Sequence, residues 1–180
     1  GGAIALRDLP SSVTQTISAA LARLCPALGL VGLCGVDFVL DARERCWLIE
    51  INPRPTATFD LLAHPGDVFR AHVAASKGQR LPAIRARPTL RAQAVYYAAS
   101  AILIPDSLDW PAWVADRPQA GSALQSGAPV CTVRASGATP DATQRCLQRR
   151  LDRLAELLGL PAGGRPLPRT EPAPRRRSSR

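Results

Sequence analysis

The sequence predicts an α+β chain: an antiparallel hairpin with packed helices, followed by a small β-rich domain with a closing helix. Three observations carry this. Two short runs, VDFVLD at 36–41 and CWLIEI at 46–51, alternate in the manner of strands around the polar turn Ala42 to Arg45. The stretches 12–25 and 140–158 repeat apolar residues at helical spacing. Between the two halves, 79–89 holds Pro82, Pro88, Arg80, Arg85 and Arg87, the composition of a surface connector. The expected domains are therefore 1–78, the connector 79–89, a small α+β domain over 90–160, and a disordered Arg/Pro-rich tail over 161–180.

Each element has its own warrant. Val13, Ile17, Ala20, Leu21 and Leu24 lie on one face of a helix over 12–25, with Ser11 or Ser12 as N-cap and Pro26 and Gly29 closing it. The hairpin comes next, and Asn52-Pro53-Arg54-Pro55 must then leave the ladder, because proline has no N–H to give it. A helix near 67–77 follows, with Val68, Phe69, His72 and Val73 turned inward and Gly78 as its stop. In the second half, strands are expected at 91–97, around 122–125 and at 129–135. Thr139 as N-cap and Pro140 at the first helical position open the last helix. Its buried face is Ala142, Cys146, Leu147, Leu151, Leu154, Leu157 and Leu158, and Gly159 ends it.

Composition removes several function classes. The net charge of +9 is concentrated: residues 161–180 hold six arginines against one glutamate. Only Lys77 among the basic residues is a lysine, and no clustered basic stripe with aromatics or a reading helix accompanies the charge, so no specific nucleic-acid partner is expected. No run is apolar enough for a bilayer, so no membrane partner is expected either. Cys25, Cys34, Cys46, Cys131 and Cys146 have no paired spacing, and with His64 and His72 they make no zinc framework. They read as free thiols of a cytoplasmic protein, none of them a nucleophile. The absence of any methionine predicts a chain that begins inside a longer gene product.

One place concentrates chemistry. A hairpin closed by the loop 42–45 puts Asp41 opposite Cys46, and therefore Asp37 opposite Glu50. Opposed side chains lie ~5 Å apart on one face, where two carboxylates repel. Asn52 adds a third oxygen on that face, while Val36, Phe38 and Leu40 point the other way together with Trp47, Ile49 and Ile51. Such a set suits a hard cation, since Mg²⁺ takes oxygen donors and keeps positions for water and phosphates. Alternation alone also allows Asp37 to face solvent on an edge strand and Glu50 to pair with a nearby arginine. Arg54 favours the first reading: its planar fork can grip a phosphoryl group beside a carboxylate-held metal, and the flanking prolines stiffen its turn.

GVDFVLDARERCWLIEINPR resembles the metal-binding end of the ATP-grasp superfamily, whose members carry an acid on one strand, an acid on the next and a following asparagine, as in E-[IVMA]-N-x-R. The resemblance covers residues 1–78 and implies a partial ATP-grasp fold. By position it implies that Asp37, Glu50 and Asn52 ligate Mg²⁺ ions bridging the phosphates of ATP, with Mn²⁺ as a substitute. Arg54 then stands as the catalytic arginine near the γ-phosphate. The longer form EINPRPTATFDLL resembles an amine-ligating branch, some of whose members are linked to folate-like cofactor biosynthesis.

The implied activity is ATP-dependent ligation of a small-molecule carboxylate to an amine through an acylphosphate. This chain is its metal-binding portion, inactive when isolated. The superfamily's Gly-rich loop, nucleotide-binding lysines and acidic hinge lie upstream of such strands and are not among these residues, so the missing N-terminal half of the same polypeptide is the expected partner. A homodimer is a further assembly the sequence allows. Two rival functions remain: phosphoryl transfer without ligation, and a truncated, non-catalytic binding module.

Other residues carry less. Thr56, Thr58 and Asp60 either line an acceptor pocket or cap a helix, and His64 reads as a surface or capping residue. Trp47, Trp110 and Trp113 read as packing rings, and the glycines at 29, 32 and 35 lack the strand and spacing of a phosphate loop.

Overall fold

The computed structural model describes residues 2–6, 9–59, 61 and 63–160; the predicted tail and Asp60 lie outside them. Two compact units divide the described chain, one made of 9–85 and the other of 2–6 with 86–160. No helix of the described residues is long and apolar enough to cross a membrane.

In the first unit, helix α1 spans Ser11–Ala27, two residues beyond its predicted end. Pro10 holds the N-cap position and no side chain caps the helix, so neither serine serves there. Pro26 sits inside the last turn, where its missing N–H costs one bond. The stop comes at Gly29, whose φ of +61° lets Leu30 N–H return to the Cys25 carbonyl at 2.9 Å. Strands β2 (Gly35–Leu40) and β3 (Cys46–Asn52) form the antiparallel hairpin. Helix α2 covers Pro65–Ser76, with proline at its first position and Gly78 (φ +64°) after its end.

The hairpin's register differs instructively from the one predicted. Near the turn Leu40 pairs with Cys46, Val39 with Trp47 and Phe38 with Leu48, so the loop has one residue more than expected. A bulge between Asp37 and Phe38 then restores the predicted pairing of Asp37 with Glu50 and of Val36 with Ile51. Trp47, by pairing with Val39, lies on the face of Asp37 instead of the face of Phe38. Leu48 and Cys46 take the places assigned to Ile49 and Trp47, and with Val36 and Phe38 they line an apolar groove along Ile17, Leu21 and Leu24 of α1. Trp47 and Ile49 are left 55% and 64% exposed. On α2, Val68 and Ala71 are buried but Phe69 is exposed, against expectation. Asp67 takes an inward place no apolar residue holds, because two arginines neutralise it there.

The second unit is a four-stranded antiparallel sheet in the order β1-β4-β8-β6, with α3 packed on it. β4 (Leu90–Tyr97) and β8 (Pro129–Gly137) correspond to the strands predicted at 91–97 and 129–135, and they are the two central strands. β1 (Gly2–Ile4) pairs with β4, so the first residues of the chain belong here and not with the hairpin. β6 (Val114–Ala115) is its edge strand, while β5 (Ile102–Leu103) and β7 (Ala123–Leu124) pair in a separate two-stranded sheet. β4 alternates strictly, burying Leu90, Ala92, Ala94 and Tyr96, and the small alanines leave room for a helix. α3 (Pro140–Leu157) starts at Thr139, whose hydroxyl accepts from Ala142 N–H at 3.2 Å, and it buries Thr143, Leu147, Leu151, Leu154 and Ala155. Trp110 and Trp113 pack against this core, as expected of packing rings.

Candidate hairpin site

The bulge and the strand after it determine what gathers at the open end of the hairpin. Asp37 and Glu50 are directly opposed, both exposed, and among the described residues neither forms an ion pair. Two pairs further on, Gly35 stands opposite Asn52. A side chain at Gly35 would collide with the Thr56 methyl group, so this glycine marks where the chain after β3 folds back across the start of β2. The fold-back is tight: Arg54 N–H donates to the Asn52 carbonyl at 2.7 Å. The Arg54 guanidinium turns onto the same asparagine, donating to Asn52 Oδ1 at 3.2 Å and to the Pro55 carbonyl at 3.4 Å. Thr56 and Thr58 hydroxyls meet at 3.1 Å on that turn.

Among the described residues no three His, Cys, Asp or Glu side chains gather as a metal site, so a cation here would rest on two carboxylates completed by the Asn52 amide. The donors suit a hard divalent ion. They are all oxygens, two carry charge without a described counter-ion, and Asn52 Oδ1 keeps a second lone pair beyond the one Arg54 engages.

Other titratable groups are tied up elsewhere. Asp41 accepts backbone N–H bonds from Arg45 and Arg43 in the hairpin turn and pairs with the Arg45 side chain, which holds its carboxyl down at about 2. Asp67, 1% exposed, is held at about 2 chiefly by hydrogen bonds from the Arg85 side chain, with Arg70 adding a further bond. Only the Asp67–Arg70 spacing on one helix is local; the Arg85 partner lies in the connector, where no sequence pattern signals it. Burial pushes the Cys131 thiol up to about 12, so it is no nucleophile, and all five cysteines are free. His64 is the exposed residue before α2 and caps nothing with its side chain.

His72, which sequence reasoning placed only as an inward residue, accepts the Leu33 N–H at Nδ1 (2.9 Å). Gly32, at φ +83°, lies so close to that ring that a Cβ would come within 2.5 Å of Nδ1. The two glycines dismissed as a phosphate loop, Gly32 and Gly35, are thus points of close backbone approach.

Residues 5–58 match the family model for an ATP-grasp domain. The chain is similar to a D-alanine–D-alanine ligase of Bordetella petrii, 41% identical over 51 residues that cover 28% of this chain and 16% of that protein. Among solved structures it is similar to N5-carboxyaminoimidazole ribonucleotide synthetase from Thermotoga maritima (TM-score 0.59, 14% identity), covering 87% of this chain and 44% of that one. It is also similar to phosphoribosylglycinamide synthetase from Anaerococcus prevotii (TM-score 0.63, 10% identity), covering 83% and 43%. This chain therefore spans less than half the length of the proteins it matches.

Proposed function

From the membership of residues 5–58 in the ATP-grasp superfamily, we propose that this chain is the metal-binding portion of an ATP-dependent carboxylate–amine ligase. The observation that carries it is the opposition of Asp37 and Glu50 beside an Asn52–Arg54 turn. Two like charges set face to face cost free energy, and a divalent cation between them turns that cost into affinity. Asp37, Glu50 and the Asn52 amide oxygen would hold Mg²⁺, or Mn²⁺ in its place. When bound, the ion supplies charge neutralisation at the ATP phosphates.

The remaining work belongs to the chain's own groups. Arg54, whose guanidinium is anchored on the proposed ligand Asn52, can stabilise the negative charge that grows as a substrate carboxylate takes the terminal phosphoryl group. No side chain of this chain needs to become covalently attached. An amine then displaces phosphate from the acylphosphate and an amide remains. The small size of the chain relative to its matches supports a role for further residues of the same polypeptide in gripping the nucleotide.

Mg²⁺ titration by calorimetry tests the reading. Asp37→Asn and Glu50→Gln are expected to abolish cation binding while the thermal melt stays in place, or rises slightly without metal because a repulsion disappears. Undiminished affinity in both variants would remove these residues from the site.

A further inference from the structure

The bulge splits the hairpin into two zones of register. Phe38, Val39 and Leu40 follow the pairing set by the turn, while Gly35, Val36 and Asp37 follow a pairing displaced by one residue. Only the second zone holds the carboxylates. If the turn's register simply continued, without a bulge, Asp37 would face Ile49 and Glu50 would face Val36. The two acids would then lie on opposite faces of the ribbon, because successive strand residues alternate. The turn cannot prevent this slip, since it governs only its own side of the bulge. Something at the open end must hold β2 in the displaced register.

Two contacts sit there. The Thr56 methyl lies against the Gly35 backbone at the start of β2, where a Cβ would collide with it. His72, from α2, accepts the Leu33 N–H through Nδ1 at 2.9 Å, and the Gly32 backbone lies directly against its ring. A single part-buried hydrogen bond therefore fixes the chain four residues before Asp37. It requires the ring to be an acceptor at Nδ1, so the proton of the neutral imidazole sits on Nε2. Among the described residues no carboxylate bonds the ring. Phe69 is its aromatic neighbour, the Cys34 thiol is turned to the Gly32 carbonyl, and Asp67, Arg70 and Arg85 are occupied with one another.

We propose that His72 is a positioning residue for the hairpin carboxylates: its Nδ1 bond to Leu33 holds β2 in the bulged register that sets Asp37 opposite Glu50. The metal consequence rests on the proposed function, but the register consequence does not. Loss of the clip releases the open end to the bulge-free pairing and separates the two acids.

Nuclear magnetic resonance on the 180-residue chain tests both parts separately. In the wild type, His72 should show an Nε2–H tautomer with Nδ1 unprotonated, and cross-strand contacts should join Asp37 to Glu50. His72→Leu should replace these by contacts from Asp37 to Ile49. His72→Asn, whose amide oxygen can reach the place of Nδ1, should keep the wild-type pattern. In the same samples, Mn²⁺ should broaden the Asp37 and Glu50 amides in the wild type and in His72→Asn. Affinity in His72→Leu should fall roughly ten- to a hundredfold, the range for residues that orient metal ligands. Retention of the Asp37–Glu50 contacts in His72→Leu overturns the proposal. If that variant does not fold, a proton on Nδ1 in the wild type, or a shifted register in His72→Asn, overturns it instead. Absence of Mn²⁺ broadening in a wild type that shows the Asp37–Glu50 contacts would instead sink the metal reading and leave the register inference standing.

Discussion

The two units of this chain bury their apolar residues to very different degrees. The unit built on β4, β8 and α3 has a closed core, with Val133, Leu154, Leu147 and Ile104 shielded almost completely. The hairpin unit buries Val13, Leu61, Val68 and Ala71 but leaves Val39, Trp47, Leu48 and Ile49 substantially open. The closed unit contributes none of the proposed ligands, and the open one contributes all of them. If the proposed ligands hold a cation, the face that receives it cannot also be sealed by its own side chains, and stability and the proposed chemistry then fall to different parts of the chain.

That contrast can be broken by matched substitutions. Leu154→Ala empties a fully enclosed site and should destabilise its unit by about 2–5 kcal/mol, whereas Leu48→Ala, at a half-exposed position, should cost under ~1 kcal/mol. Equal shifts in thermal denaturation would erase the distinction. Acid should sharpen it. Asp41 and Asp67 both lie in the hairpin unit with carboxyls held at about 2, below the ordinary ~3.9. Depressed values mean that the stabilisation they bring is complete above about pH 4 and disappears as pH falls through about 2. Amide exchange followed over that window should show the hairpin unit opening first, and simultaneous opening of both units would refute the assignment. The smallest effect is expected at Trp47→Ser. Its ring is exposed, with Arg45 stacked over it, so thermal denaturation should show a stability change of no more than ~0.5 kcal/mol.

The sequence made the strongly patterned elements legible. α3 announced itself through Thr139, Pro140 and a continuous apolar stripe, and β4 was placed to within a residue of its observed start. The opposition of Asp37 and Glu50 was reached from a loop one residue too short; the bulge compensated, because one insertion on β3 offsets one extra residue in the turn. The face of Trp47 had no such compensation and came out reversed. β1, β5 and β6 were invisible, since strands of two or three residues have no period to detect. The Asp67–Arg85 pair and the His72–Leu33 bond join residues far apart in sequence, where no local pattern exists to read.

The pairing of β1 with β4 means that the hairpin unit is inserted, in sequence, between two adjacent strands of the other sheet. Closing that sheet requires Ile4 to find Ala92 across the whole of the inserted unit. The entropy of such a closure grows only logarithmically with the chain between the ends, and it shrinks when that chain is already compact. The hairpin, whose partners are neighbours in sequence, can form early on its own local contacts and bring the ends of its span together. Docking of the first strand is then a late event in folding. An assembly order thus follows from the three residues of β1, with the interior segment folding before the strand pairing that encloses it in sequence.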